Sequence, residues 1–157
     1  MLTRTPRETH PVLMHEYEVV VDGRDLPRPC NYMLVQILPD QGQSIDPVKR
    51  PYLIIDPRAG HGPGIGGFKS DSQVGVALAH GHPVYFTIFR PEPEPAQTLA
   101  DVVAAEGHFV CEIASRHPSA PKTAILGNCQ GGWASMLLAA SNPDVTGPII
   151  ANGAPMS

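Results

Sequence analysis

The 157-residue sequence predicts an α/β fold with a mostly parallel sheet, and three observations carry that expectation. Apolar runs of strand length alternate with helical repeats, the pattern of strands joined by crossover helices. Tyr52 to Ile55 (YLII) is a short, unbroken apolar run, as in a parallel strand buried on both faces. Lys122 to Trp133 (KTAILGNCQGGW) passes from an apolar strand through a glycine-flanked cysteine into a helical run, a sharp strand-to-helix turn.

In chain order, His15 to Val21 (HEYEVVV) and Tyr32 to Leu38 (YMLVQIL) read as two strands able to pair as neighbours, with Asp22-Gly23, Pro27 and Pro29 as turn residues between them. A polar, proline-bounded loop over residues 39–51 leads to Tyr52 to Ile55. After a glycine-rich stretch comes a helix whose start carries a capping-box pattern, Ser70 with Gln73, and whose stop is Gly81. Pro83 to Phe89 (PVYFTIF) is the next strand, closed by the stiff PEPEP of residues 91–95. Thr98 and Asp101 open a longer helix with Leu99, Val102, Val103, Val110, Ile113 and Ala114 at helical spacing, ending at His117-Pro118. Lys122 to Leu126 is the strand before the sharp turn and Gly132 to Ser141 the helix after it, stopped by Asn142-Pro143. Pro148 to Ala151 (PIIA) reads as a final buried strand.

Composition narrows the function classes. A hydrophobic content of 42% suits one packed domain over residues 1–157. A net charge of −4 offers no basic face, which argues against nucleic acid as a partner. Three widely spaced cysteines make neither a disulfide framework nor a zinc site and suit a reducing cytoplasm. The N-terminal MLTRTPRETHPVLM lacks a signal-peptide core, and no apolar stretch approaches the ~20 residues of a membrane span. The expectation is a cytoplasmic protein that uses no cofactor and no metal.

Gly127-Asn128-Cys129-Gln130-Gly131 places a cysteine where the nucleophile elbow of an α/β-hydrolase has its serine. A side chain thrust out on such a turn strains its own backbone, and bulk two residues to either side collides across the turn, so Gly127 and Gly131 have a steric reason to be glycine. The turn aims Cys129 at a helix N-terminus, where unpaired N–H groups and the helix dipole favour negative charge, and thiolate is the nucleophile. Cys30 and Cys111 read as small buried hydrophobes.

The loop PRAGHGPGIGGFK, residues 57–69, supports two readings. Gly62, Gly64 and Gly67 satisfy G-x-G-x-x-G between a strand and a helix, the fingerprint of a dinucleotide-binding turn. Five residues separate the strand from the first of these glycines, however, and Pro63 and Lys69 precede the helix, which departs from that fingerprint. In the hydrolase reading the same loop supplies one oxyanion-hole N–H, from among Arg58, Ala59 and Gly60, and Gln130 supplies the other. His61 lies in this loop within reach of a substrate, and Arg58, Gly60 and Asn128 join it as candidate substrate contacts. His80 and His82 flank Gly81 at a helix end and read as partners of the last carbonyls. The glutamates of the PEPEP segment read as a charged rim on the ligand side of the sheet.

LGNCQGGWASMLLAA resembles the nucleophile segment of polyhydroxyalkanoate synthases, α/β-hydrolase-fold acyltransferases with cysteine in the lipase-type box. Together, DPRAGHGPGIGGFKSDSQVG, PVYFTIFRPEPEPAQTLADV and GNCQGGWA resemble a family of bacterial proteins labelled 3-hydroxyalkanoate synthetase, over about residues 15–157. The G-x-C-x-G-G box is similar also to that of dienelactone hydrolases. The resemblance implies a thioester on Cys129 and a small-molecule acyl thioester substrate, with 3-hydroxyacyl transfer as the reaction. A cysteine hydrolase of esterase, thioesterase or dienelactone hydrolase type is the alternative. In this fold the acid and the histidine follow the nucleophile. Only Asp144 and no histidine follow Cys129, so the expectation is an incomplete α/β-hydrolase sheet, ending after about the sixth strand, that is inactive by itself.

Overall fold

A computed structural model describes residues 12–58 and 63–156. Its elements are β1 (Tyr17–Asp22), a 3-10 turn (Gly23–Asp25), β2 (Tyr32–Ile37), β3 (Tyr52–Ile55), α1 (Gln73–Ala79), β4 (Val84–Phe89), α2 (Leu99–Arg116), β5 (Thr123–Asn128), α3 (Gln130–Ser141) and β6 (Thr146–Asn152). The strands form one sheet in the order β1-β2-β4-β3-β5-β6. β2 is antiparallel to both neighbours, and β4, β3, β5 and β6 run parallel, so the two N-terminal strands pair with each other ahead of a parallel core as expected.

Side-chain alternation along the strands builds two cores. Leu53 and Ile55 of β3 face α2 and α3, packing with Tyr32, Leu34, Ile125, Phe109 and Leu138. Ile54 faces α1, packing with Val35, Phe86, Leu126, Val74 and Leu78. Both faces of β3 are covered, which is why YLII has no polar position.

α2 starts at Thr98 and Asp101 as expected, and the two close a capping box: the Thr98 hydroxyl accepts from the Asp101 amide at 3.4 Å, and Asp101 Oδ2 accepts from the Thr98 amide at 2.7 Å. Its far end is tied down by His117, whose ring nitrogens meet the Tyr85 hydroxyl at 2.9 Å and the Pro47 carbonyl at 3.0 Å. Burial pushes the Tyr85 phenol up to about 12, so it stays protonated and can donate to the imidazole.

Three expectations need correction. The cap of α1 is Ser72, whose hydroxyl accepts from the Gly75 amide at 3.4 Å; the Ser70 carbonyl lies against Gly75 instead, so closely that no side chain fits there. β6 is largely exposed, with Ile150 at 44% exposure, because its one neighbour among the described residues is β5. Cys30 is buried, but Cys111 is exposed: it follows buried Val110 on α2 and points away from the sheet.

Candidate active site at the β5–α3 elbow

The chain leaves β5 at Asn128 and enters α3 at Gln130, so Cys129 must turn the backbone in a single residue. It does so at φ 51°, ψ −121°, a conformation that costs a residue with a Cβ on the order of 1–3 kcal/mol and persists only where the surroundings enforce it. Cys129 is exposed. Its amide donates to the Asn152 carbonyl at the end of β6 at 2.9 Å, and its carbonyl accepts from the Gly132 amide at 2.9 Å.

The flanking glycines let this happen. A Cβ on Gly127 would run into the Gly131 carbonyl, and one on Gly131 into the Ile55 carbonyl at the end of β3. Gly132 makes room for the Ala154 methyl. Gln130 begins the helix, so its amide has no intrahelical acceptor, and it donates to nothing among the described residues.

The second donor was sought in the loop after β3. Asp56 organises that loop: its carboxylate is buried and accepts from the amides of Arg58 at 2.9 Å, Gly64 at 2.7 Å and Ile65 at 3.0 Å. The Arg58 amide is therefore taken, and Arg58 itself sits at φ 56° with its guanidinium 5.6 Å from the centre of the Tyr32 ring. Ala59, Gly60 and His61, the other candidates here, lie outside the described residues, as does Gly62. Asn128 is buried, and its carboxamide is engaged with Gln73 and Asn152.

The described glycines of the loop, Gly64 and Gly67, do not suit a dinucleotide-binding turn. The Gly64 amide belongs to Asp56, and that of Gly67 donates to the Gly64 carbonyl at 2.8 Å. Both glycines are covered by residues 12–14: Val12 donates to the Pro63 carbonyl at 2.8 Å and Met14 to the Gly67 carbonyl at 2.9 Å, and a Cβ on Gly64 would lie 2.6 Å from the Leu13 nitrogen. The glycines admit a strand of the protein's own backbone, so Gly64 and Gly67 offer no open amides to a pyrophosphate.

Behind the elbow, α2 and α3 enclose a narrow cavity lined by Tyr32, Arg58, Glu106, Gln130 and Trp133. Glu106 is 1% exposed, and burial pushes its carboxyl up to about 8 against the opposing pull of Arg58. The sequence reading missed this residue, although a signal was present: Glu106 falls at helical spacing between Val102, Val103 and Val110, on the apolar stripe of α2.

His80 and His82 are engaged elsewhere. His80 Nδ1 lies 2.9 Å from the Val76 carbonyl in the last turn of α1, and His82 Nδ1 is 2.9 Å from the Arg50 carbonyl, edge-on to Tyr52. The PEPEP rim is pinned by Gln97, whose carboxamide oxygen accepts from the amides of Asn31 at 2.8 Å and Glu94 at 3.0 Å.

A labelling experiment tests the elbow geometry. Iodoacetamide followed by peptide mapping is expected to modify Cys129 first, because it is exposed at a helix N-terminus. Cys111 is exposed but mid-helix, and Cys30 is buried, with burial raising its thiol pKa. Faster labelling of Cys111 would remove the case for an activated cysteine at position 129.

The family described as "Protein of unknown function (DUF3141)" matches residues 1–157. The chain belongs to that family. It is 54% identical over 147 residues to the "Uncharacterized protein in ackA 5'region" of Rhizobium meliloti, an alignment covering 93% of this chain and 20% of that protein. The chain thus spans about a fifth of the length of that relative. Among solved structures it is similar to MGS-M1, an α/β hydrolase from a Medee basin deep-sea metagenome library, with a TM-score of 0.56 and 15% identity over 91% of this chain and 58% of that one. It is similar also to 2-hydroxy-6-oxo-6-phenylhexa-2,4-dienoate hydrolase from Rhodococcus sp. strain RHA1, with a TM-score of 0.50 and 17% identity over 90% of this chain and 50% of that one. The fold of this DUF3141 chain is therefore part of an α/β-hydrolase fold. No helix of the described residues is long and apolar enough to cross a membrane.

Proposed function

We propose that Cys129 is the nucleophile of an acyl-transfer enzyme that passes through a thioester on this residue. The observation that carries the reading is the Cys129 backbone, held at φ 51° with the cysteine exposed and the Gln130 amide open beside it. In the first step the thiolate of Cys129 attacks the carbonyl carbon of an acyl thioester or ester, and the carbonyl electron pair moves onto oxygen. The Gln130 N–H and a second donor from Ala59 or Gly60 hold that oxyanion. As the carbonyl re-forms, the bond to the leaving thiolate or alkoxide breaks, and the proton taken from Cys129 goes to the leaving group through a histidine outside the described residues. In the second step an acceptor hydroxyl gives its proton to that histidine as its oxygen attacks the thioester carbonyl, and the carbon–sulfur bond breaks to release the acyl ester and return the thiolate of Cys129. The resemblance to polyhydroxyalkanoate synthases favours a 3-hydroxyacyl thioester as donor, and a reducing cytoplasm would keep the thiol available. With water as acceptor the same site is a cysteine hydrolase, a reading that the exposure of Cys129 and Gln130 also accommodates.

Mass spectrometry after brief exposure to a p-nitrophenyl ester or a 3-hydroxyacyl thioester tests the proposal. The expected result is one acyl group on the Cys129 peptide, absent in Cys129→Ala. Ester cleavage that persists in Cys129→Ala, or a wild type that takes no acyl group, would overturn it.

A further inference from the structure

Asn128 is the last residue of β5 and immediately precedes the cysteine, and its buried carboxamide must find partners within the protein. It finds them in Gln73, the first residue of α1. Asn128 Nδ2 donates to Gln73 Oε1 at 2.8 Å, and Gln73 Nε2 donates to Asn128 Oδ1 at 3.0 Å, so the two carboxamides close a ring of reciprocal bonds. Asn152 Nδ2 adds a third bond to Asn128 Oδ1 at 3.2 Å, and the carbonyl of the same residue accepts the Cys129 amide.

Space for the ring is reserved by Gly66, at φ +103°, where a Cβ would lie 2.8 Å from Gln73 Oε1 and 3.2 Å from Asn128 Nδ2. The Gly66 carbonyl in turn accepts from the Val74 amide at 2.9 Å, fixing the loop to the start of α1. Three segments thus converge on the residue before the nucleophile: the glycine loop, the N-terminus of α1 and the end of β6.

This arrangement answers a mechanical need. A backbone strained at Cys129 relaxes unless its neighbours over-determine it, and relaxation would swing the thiol relative to the Gln130 amide. The backbone of Cys129 is anchored on Asn152 through its amide and on Gly132 through its carbonyl, and the Asn128 carboxamide adds a side-chain tie from the preceding residue to the start of α1. We propose that Gln73 is a positioning residue for the nucleophile, acting through Asn128 to hold Cys129 and the Gln130 N–H in the mutual arrangement that acylation requires. Asn128, expected from the sequence to contact substrate, instead transmits this constraint. The inference rests on the reading of Cys129 as nucleophile.

Two reactions of the same thiol separate geometry from stability. Acylation of Cys129 by p-nitrophenyl acetate passes through an oxyanion and needs the Gln130 amide, whereas alkylation by iodoacetamide displaces iodide from carbon and does not. In Gln73→Leu the acylation rate is expected to fall about tenfold, a fraction of what losing a whole oxyanion donor costs, while alkylation is nearly unchanged. Gln73→Glu keeps the size of the side chain but sets a carboxylate oxygen against Asn128 Oδ1, and the ratio of acylation to alkylation should fall there as well. Gln73→Leu combined with Asn128→Leu should be no slower than the slower single variant, since both break one ring. A ratio unchanged in both Gln73 variants, with Cys129 still acylated, would overturn the positioning role and leave the nucleophile standing. A wild type in which Cys129 takes no acyl group would overturn both.

Discussion

Alanine at Gly131 is expected to destabilise the protein by about 3 kcal/mol or more and to abolish acylation of Cys129. Propensity alone points the other way, because Gly131 lies in α3 and alanine is the better helix former by about 1 kcal/mol. Sterics should win because the new methyl would enter the Ile55 carbonyl, and Ile55 is held in the central strand, opposite Thr87 on one side and Gly127 on the other. That strand cannot retreat without opening the sheet, so α3 must lift, and the elbow lifts with it. Gly42→Ala is the comparison: Gly42 has φ +85° and nothing within 4 Å of the added Cβ, so only the backbone cost of about 1 kcal/mol applies. Urea unfolding of both variants, with acylation of Cys129 measured alongside, checks this. Equal midpoints would mean that β3 and α3 do not approach each other as closely as described.

The need for Gly127 was legible because its clash with the Gly131 carbonyl lies within the five residues of the elbow, where spacing in a sequence displays it directly, whereas Gly131 makes room for the Ile55 carbonyl of β3, which the sequence does not display. β3 was legible for a different reason: covered on both faces, it is made of the unbroken apolar run YLII. The glycine loop was ambiguous. G-x-G-x-x-G records that a backbone comes close, without saying which one, and here it is residues 12–14 rather than a phosphate. The start of α1 lies two residues beyond the Ser70 that the capping-box pattern points to, because it is the Ser72 hydroxyl that meets the Gly75 amide, while the Ser70 carbonyl packs on Gly75. PIIA announced a strand correctly but not its exposure, since burial depends on what lies across the strand. Gln73 and Asn128 stand 55 positions apart, and nothing in the spacing of two amides pairs them. Glu106 shows in the sequence only as a break in the apolar stripe of α2, and the hydrophobic spacing of that helix does not distinguish a buried carboxyl from a solvated one.

Glu106→Gln is expected to stabilise the protein at pH 8 and to leave it nearly unchanged at pH 4.5. Burial raises the Glu106 carboxyl from its ordinary 4.5 to about 8 in the folded state, with Arg58 alone acting to lower it. Between those two pH values the folded chain keeps a proton that the unfolded chain has released. Stability from this group is therefore fully present below pH 4.5 and declines as pH rises, by about 1.4 kcal/mol per unit for one whole proton, until the folded carboxyl also ionises near pH 8. The glutamine amide has the same shape and nothing to ionise, so the variant escapes the decline, and its advantage by pH 8 should reach a few kcal/mol. Urea midpoints for wild type and variant across this range give the answer by difference, which cancels every other titrating group. Curves that stay parallel from pH 4.5 to pH 8 would mean that Glu106 ionises in the folded protein as readily as in the unfolded one, and the cavity between α2 and α3 would then have to be open to water.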